Sequence, residues 1–294
     1  MQIRATRWHD NRDNMNMTRS ATEVDHIRFQ FGKNWSRFLK SIDNVRILEA
    51  EHSLQEMLAI KTLKNKSFLD IGSGSGLFSL AARRLGARVH SFDYDSQSVA
   101  CTAELKRRYF PDDSDWVVEA GSVLDEDYVD SLGQFDVVYS WGVLHHTGAM
   151  WQALENASLP VTSKGHLYIA IYNDQGWRSV CWTRIKRIYN HVPSMLRLAM
   201  VTSTFLVFWG PKFLRDLLIG RPSRSWKNYV KSRGMSPWWD TVDWVGGYPF
   251  EVAKPEEILH FYQDRRFTLK NLKTCGGKLG NNHFVFEKAA AERR

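Results

Sequence analysis

The sequence has few cysteines, and their placement suits neither a cross-link nor a metal. Its 294 residues include only three, Cys101, Cys181 and Cys275, which are widely separated and form no C-x-x-C pair. An odd, scattered set supports neither a disulfide framework nor a zinc site. We therefore interpret all three as reduced thiols.

The sequence shows no recognisable signal peptide, no long apolar run and no cluster of metal ligands. Residues 1–20 are polar and mixed in charge, without the apolar stretch of a signal peptide. The apolar run at 198–209 is too short to span a bilayer. No group of His, Asp and Glu has metal-ligand spacing, which argues against a Mg²⁺-dependent site. These absences favour a cytoplasmic protein without a bound metal.

A glycine-rich turn is the strongest local signal, in KSFLDIGSGSGLFSL at 66–80. Such a turn between a strand and a helix lets the backbone approach a nucleotide-like ligand closely. Gly72 and Gly74 fit the dinucleotide pattern G-x-G-x-x-G, but Leu77 stands where its third glycine is required. Asp70 would gain nothing beside a diphosphate, whereas it would attract a cation. The turn therefore predicts a positively charged cofactor and not NAD.

A second acidic residue lies at the spacing of a ribose ligand. The predicted strand at 87–92 is followed by Asp93, 23 residues beyond Asp70. A carboxylate at this position can accept hydrogen bonds from both ribose hydroxyls. The alternative is that Asp93 caps the following helix, although Asp95 or Ser96 is better placed for that task.

The remaining strands indicate an α/β fold. Further strands are predicted at 116–120, 135–139 and 164–172, separated by helical segments. The strands predicted at 267–275 and 283–288 have no helix between them, so they must pair as an antiparallel hairpin. The pattern predicts a doubly wound, mostly parallel sheet of seven strands.

Taken together, the motif D-x-G-x-G-x-G, the second acidic residue and the strand order resemble the class I S-adenosylmethionine-dependent methyltransferases. The resemblance implies a Rossmann-like methyltransferase fold, a methyltransferase activity and S-adenosylmethionine as cofactor. The chain is also similar to the O-methyltransferases of ubiquinone biosynthesis and their relatives. We expect a helical N-terminal cap at 1–64, a cofactor-binding core at 65–172, an insertion at 173–250, and a helix with a strand hairpin at 251–294.

The resemblance also implies a set of cofactor-binding residues. In chain order they are Asp70, Gly72, Ser73, Gly74, Gly76, Asp93, Ser122, Val123, Ser140 and Trp141. The first five would hold the methionine part, with Asp70 at the ammonium, and Asp93 would hold the ribose. Ser122 and Val123 would contact adenine, while Ser140 and Trp141 would flank the sulfonium. For Val123 and Trp141, packing in the core is the alternative.

Candidate catalytic residues follow the fourth and fifth strands, where open α/β sheets bind ligands. His145 or His146 could remove a proton from an acceptor hydroxyl, and the alternative is a role in starting a helix. Tyr172 is a further candidate, together with Asn173 and Asp174. Methyl transfer needs chiefly in-line placement of the acceptor, so an obvious base is not required.

The insertion at 173–250 carries the whole excess of positive charge. It holds 12 of the 40 Lys and Arg residues and 4 of the 32 acidic residues, so the rest of the chain has 28 of each. It also contains seven of the twelve tryptophans. The insertion therefore has its own partner or its own surface.

Two segments of the insertion have predictable structure. The first is an amphipathic helix whose apolar face comprises Cys181, Ile185, Ile188 and Val192, with its basic residues elsewhere. The second is the apolar run at 198–209, which Gly210 and Pro211 should close. The insertion could serve as a lid over the substrate, as a lid that also contacts an anionic membrane through 178–233, or as a nucleic-acid-binding arm.

The favoured function is methyl transfer to a hydroxyl of a small acceptor, which could be apolar, lipid-linked or glycosylated. The first alternative is an RNA methyltransferase, and the second is a cofactor-binding module without catalysis. The Asp/Asn-Pro-Pro-Tyr/Phe tetrapeptide of many base N-methyltransferases is absent after the fourth strand, where Ser140-Trp141-Gly142-Val143 stands. The apolar run among the basic residues also differs from an RNA-stacking surface.

Overall fold

A computed structural model describes residues 42–233 and 236–290, together with Phe29, Phe31, Gly32, Trp35, Phe38 and Leu39. Most of the predicted N-terminal cap therefore lies outside the described residues. The strands are β1 (Ser67–Ile71), β2 (Arg88–Asp93), β3 (Trp116–Ala120), β4 (Phe135–Trp141), β5 (Val161–Tyr172), β6 (Phe267–Lys273) and β7 (Asn281–Lys288).

The seven strands form a single sheet in the order β3-β2-β1-β4-β5-β7-β6. The neighbouring pairs among β1 to β5 are parallel, while β7 runs antiparallel to both β5 and β6. The strand order reverses at β1, where β2 leads to one side and β4 to the other. This confirms the predicted doubly wound, mostly parallel sheet with a terminal hairpin.

Helices lie on both faces of the sheet and also form the insertion. The helices that surround the sheet are α1 (Asn44–Leu58), α2 (Leu77–Arg84), α3 (Ser96–Tyr109), α4 (Glu126–Ser131) and α5 (Met150–Ser158). The insertion follows as α6 (Trp177–His191), α7 (Ser194–Leu218), α8 (Arg224–Arg233) and α9 (Pro237–Gly246), and α10 (Pro255–Gln263) returns to the sheet.

Side chains of β1 point alternately to the two faces of the sheet, so neighbouring residues of this strand belong to two different buried clusters. Phe68 packs in one buried cluster with residues of α1, α2 and α3. Leu69 packs in another with residues of α5 and α10, because successive side chains of a strand point to opposite faces. Asp70 therefore emerges on the α2 side at the carboxyl end of β1. The apolar strand pattern of the sequence thus sets where the glycine-rich turn leaves the sheet.

Helix α6 buries a different face from the one the sequence predicted. Ile188 is 52% exposed and Cys181 is exposed, whereas Lys186 and Tyr189 are buried. The helix ends at His191, so Val192 lies beyond it with an extended backbone. The prediction was wrong because the tryptophan rings of α9 cover the side of α6 that carries Lys186. A lysine stem is apolar enough to pack there.

Helix α7 also differs from its prediction, because it continues through Gly210 and Pro211 to Leu218. Proline in a helix interior removes one hydrogen bond and costs about 3 kcal/mol. Aromatic packing on both sides of the proline offsets this cost. The ring of Phe205 lies 5.4 Å from Trp238, and that of Phe213 lies 6.2 Å from Trp226.

Candidate active site

The carboxyl ends of β1, β2 and β4 open into a cavity of about 1230 Å³. The glycine-rich turn and Asp93 line one end of it. The other end is walled by the insertion, chiefly by Phe208, Trp209 and Trp244. The volume exceeds the range of about 300–1,000 Å³ typical of ligand pockets. There is therefore room for two ligands at once.

The glycine-rich turn leaves little space for side chains at two positions. Gly72 has φ +77°, and a Cβ there would lie 2.5 Å from the methyl groups of Val143. Gly74 has φ +57°, and a Cβ there would lie 3.1 Å from the indole of Trp35. The backbone of the turn can therefore approach a ligand closely, as the sequence indicated.

Asp93 organises the turn through both of its carboxylate oxygens. Its Oδ2 accepts a hydrogen bond from the backbone N–H of Gly74 at 2.9 Å, and its Oδ1 accepts one from the N–H of Asp95 at 2.9 Å. The residue that caps α3 is Asp95, which accepts from the N–H of Gln97. Asp93 is therefore not the helix cap, and its side chain lines the cavity.

Asp70 supplies a buried carboxylate to the same end of the cavity. It is 2% exposed and accepts a hydrogen bond from the hydroxyl of Ser79. Burial raises the pKa of Asp70 to about 7; the Ser79 bond opposes this rise and the nearby carboxylate of Asp93 adds to it. A cation placed in the cavity would stabilise the ionised form. The site thus fits a ligand that carries an ammonium group.

The structure brings six of the ten predicted cofactor residues to the cavity. They are Asp70, Gly72, Ser73, Gly74, Asp93 and Trp141. Among the described residues, the cavity lining does not include Gly76, Ser122, Val123 or Ser140.

Two of these four have structural roles that explain their position. Ser140 is fully buried and donates its hydroxyl to the carbonyl of Ile71 at 3.0 Å, so its side chain joins β4 to β1, and its place beside the sulfonium stays a prediction. Val123 packs in the core, which was the alternative interpretation of that residue. Contacts of adenine with Ser122 and Val123 stay predictions.

The two adjacent histidines have different environments. His146 lines the cavity, and its Nδ1 lies 2.6 Å from the carbonyl oxygen of Pro249. A carbonyl can only accept, so Nδ1 carries the proton and Nε2 is the acceptor nitrogen of the neutral ring. That tautomer is the one a general base needs at Nε2.

His145 is fully buried and is not part of the cavity lining. Its Nδ1 accepts a hydrogen bond from the N–H of Tyr172 at 3.4 Å, so Nε2 carries the proton. Burial, with His146 and Lys186 nearby, holds the pKa of His145 well below its ordinary value. Its ring lies 4.1 Å from that of Tyr172. His145 therefore supports the cavity wall from behind.

Tyr172 lines the cavity between the histidines and the insertion, and its ring lies 5.5 Å from His146 and 5.7 Å from Trp244. The two residues after it have structural partners. Asn173 accepts a hydrogen bond from the side chain of Asn282 at 3.0 Å, and Asp174 accepts one from the N–H of Gly176 at 2.8 Å.

A buried lysine behind the insertion wall was not predicted as part of the site. Lys186 is fully buried and donates to the carbonyl oxygen of Trp244. Its Nζ lies 4.5 Å from the ring of Trp244 and 4.6 Å from that of Phe250. Burial lowers the pKa of Lys186 to about 7, and the carboxylate of Asp243 opposes the shift. No sequence signal separates this lysine from the exposed basic residues around it.

Further cavity residues that the sequence did not single out come from distant segments. Phe31 and Trp35 line the cavity from the N-terminal side, and Asp240 and Asp243 line it from α9. No local pattern in the sequence marks these four residues as part of a site.

Comparisons with known proteins match the central part of the chain. A family described as a methyltransferase domain matches residues 69–167. Ribosomal protein L11 methyltransferase of Prochlorococcus marinus is 40% identical over 78 residues, 26% of this chain and 26% of that protein. The protein of the same name from Legionella pneumophila is 54% identical over 41 residues, 14% of each. The chain thus spans about a quarter or less of these relatives.

Solved structures show the same fold at low sequence identity. Magnesium protoporphyrin IX methyltransferase from Synechocystis PCC 6803, with bound SAH, has a TM-score of 0.52 and 12% identity, covering 91% of this chain and 99% of that one. PKMT2 from Rickettsia typhi, in complex with AdoHcy, has a TM-score of 0.53 and 13% identity, covering 81% and 52%. Residues 69–167 therefore form a methyltransferase domain with the class I fold of the S-adenosylmethionine-dependent enzymes.

Proposed function

We propose that this protein transfers a methyl group from S-adenosylmethionine to a hydroxyl of a small acceptor with apolar or aromatic character. The observation that carries the proposal is the continuous cavity. It joins the end that holds Asp70 and Asp93 to the end walled by Trp209 and Trp244, with His146 between them. One enclosure can thus bring a donor and an acceptor together, which is the main requirement of methyl transfer.

The cofactor end suits the polar groups of the donor. The carboxylate of Asp70 would bind the ammonium of the methionine part, and Asp93 would accept hydrogen bonds from the ribose hydroxyls. The turn at Gly72 and Gly74 would pack against the methionine backbone. When bound, the sulfonium supplies an activated methyl group.

Nε2 of His146 would remove the proton from the acceptor hydroxyl. The bond from Nδ1 to Pro249 fixes the tautomer and orientation of this ring, and the ring lines the cavity. The hydroxyl oxygen would form the new bond to the methyl carbon as the carbon–sulfur bond of the donor breaks, and the hydroxyl proton would pass to Nε2. Such base catalysis contributes about 10²–10⁴-fold to the rate. His145 would serve only to support this ring and that of Tyr172.

The wall of the acceptor end argues for a small molecule over the alternatives. Phe208, Trp209 and Trp244 form an apolar enclosure, and Asp240, Asp243 and Lys212 line the same end. The two carboxylates outnumber the one ammonium in this lining, which would disfavour phosphates. The similarity to ribosomal protein methyltransferases covers at most 26% of the chain, so it carries no argument for a protein acceptor. The similarity to the O-methyltransferases of ubiquinone biosynthesis likewise stays a prediction.

The acceptor class can be tested with radiolabelled S-adenosylmethionine and a cell extract. The reaction is divided into organic-soluble molecules, RNA and protein, and the His146→Asn variant serves as the matched control. We expect label in the organic-soluble fraction with the wild-type protein and little with the variant. Label that accumulates on RNA or protein would overturn the acceptor class. Absence of label from every fraction would favour the non-catalytic module.

A further inference from the structure

Helix α7 presents an exposed apolar stripe along its whole length. We define the α7 stripe as Leu196, Leu206, Val207, Leu214, Leu217 and Leu218. Each is between 54% and 79% exposed. At 100° per residue they lie within about a third of the helix circumference, and they extend over ~33 Å. An apolar surface of this length on a helix is unusual for a solvated face.

The stripe contains no charged residue because the charges of α7 point elsewhere. Arg197 donates to the carbonyl oxygens of Val192 and Asn190, at 2.8 and 3.0 Å. Asp216 is buried and accepts from Ser225, and Arg215 donates to the hydroxyl of Ser225 at 3.0 Å. Lys212 lines the cavity.

Exposed charge on the described part of the insertion has one sign. Nine of the insertion's Lys and Arg residues are exposed. Its four aspartates, all within the described residues, are buried or half-buried. The outer surface of 173–230 thus combines leucines with cations and offers no exposed carboxylate.

We propose that α7 docks in the interface of an anionic membrane, with the α7 stripe among the acyl chains and the surrounding cations at the lipid head groups. An amphipathic helix with basic residues around its apolar face binds membranes in this way. None of the described helices combines the length and the apolarity required to cross a bilayer. The helix therefore lies in the plane of the surface.

Charge also argues against a second copy of this chain as the partner that covers the α7 stripe. A symmetric pair across the α7 stripe would place two sets of exposed cations against each other, with no exposed carboxylate from either insertion to pair with them. Juxtaposed like charges oppose association. Anionic lipid supplies the opposite charge that the insertion of a second copy lacks.

If α7 docks on a membrane, the membrane is a source of acceptor molecules for the proposed methyl transfer. The opposite side of α7 contributes Phe208 and Trp209 to the cavity, so one helix separates the lipid-facing stripe from the acceptor end. This consequence rests on the proposed function, whereas docking itself does not. The test below therefore measures binding and not turnover.

Docking is tested by co-sedimentation of the full chain with vesicles of phosphatidylcholine, with and without phosphatidylglycerol. We expect binding to the anionic vesicles, which falls as salt rises from about 0.1 M to about 1 M, and weaker binding to the neutral ones. The variant Leu206→Gln/Leu214→Gln should reduce binding by at least about tenfold, since it removes apolar area without changing charge.

The matched control is Val45→Gln/Leu48→Gln, which alters two apolar residues of α1 that are 60% and 55% exposed. It should bind vesicles as the wild type does. Thermal unfolding and S-adenosylhomocysteine affinity establish that both variants are folded. The proposal is overturned if the wild type does not bind anionic vesicles or binds anionic and neutral vesicles equally. It is also overturned if both variants lose vesicle binding to the same extent. Light scattering could instead show that the wild type and the control are dimers and that the stripe variant alone is a monomer. That result would assign the stripe to self-association.

Discussion

The ring of His146 donates from Nδ1 to the carbonyl oxygen of Pro249 at 2.6 Å, which leaves Nε2 as the proton acceptor of a ring that lines the cavity. His145, the next residue along the chain, is held in the opposite tautomer by the N–H of Tyr172. Two identical side chains in sequence thus have different chemical capacities. The backbone groups opposite their rings make the difference.

His146→Asn should lower kcat by about 10²–10⁴-fold, because asparagine can keep a donor to Pro249 but cannot accept a proton. Its affinity for S-adenosylhomocysteine should stay within about twofold. Steady-state kinetics and calorimetry measure the two quantities. A loss of kcat smaller than about tenfold would show that placement alone drives the reaction.

Affinity for the cofactor should depend on pH through Asp70. In the free protein the pKa of this buried carboxyl is raised to about 7, so below that pH the ammonium of the ligand must displace a proton. Between pH 8 and pH 6 the Kd for S-adenosylhomocysteine should therefore rise about tenfold. Calorimetry across this range checks the slope. Asp70→Asn should bind more weakly and show a flat profile; an equal slope in the variant would assign the titration to another group.

Asp93→Ala should weaken cofactor binding by about 1–3 kcal/mol through loss of charge-assisted hydrogen bonds to the ribose. The helix that follows should persist, because Asp95 caps it. Asp125→Ala is a suitable control, since it removes the N-cap of α4. That control should lose about 1 kcal/mol of stability with unchanged cofactor affinity. Normal binding by Asp93→Ala would place the ribose elsewhere.

The sheet and the cofactor end were predictable because their signals are local. Apolar runs of strand length and the motif at 66–80 depend on neighbours in sequence, and the structure places Asp70, Gly72 and Asp93 together as expected. The start of β5 was placed three residues late, at 164 instead of Val161. The error arose because β5 already pairs with β4 at Val161, whereas the apolar run that was used to predict the strand begins later in the sequence.

The insertion was less predictable because tertiary contacts override its local pattern. Helix periodicity alone placed Ile188 on the apolar face and Lys186 away from it, but the side of the helix that packs against the rings of Trp244 and Phe250 is the one that carries Lys186. Pro211 likewise predicts the end of a helix from the sequence alone. In the structure the helix continues through it, because aromatic residues pack on both sides of the proline. Neither outcome can be read from spacing.

The buried amine of Lys186 should make stability depend on pH. Its pKa falls from 10.5 to about 7 on folding, so between these values the unfolded chain binds more protons and stability rises with pH. From pH 7 to pH 9 the wild type should gain about 2 kcal/mol relative to Lys186→Met, which has no amine to titrate. Urea unfolding of both proteins at the two pH values measures this gain. A constant difference would mean that the amine stays protonated in the folded protein.

The central claim is that the two ends of the cavity hold a donor and an acceptor, with His146 between them. A crystal structure with S-adenosylhomocysteine tests this most directly. We predict the ammonium at Asp70, the ribose hydroxyls at Asp93, and the sulfur directed toward His146 and the end walled by Trp244. A ligand bound outside the cavity, or one whose sulfur faces away from the insertion, would contradict the account.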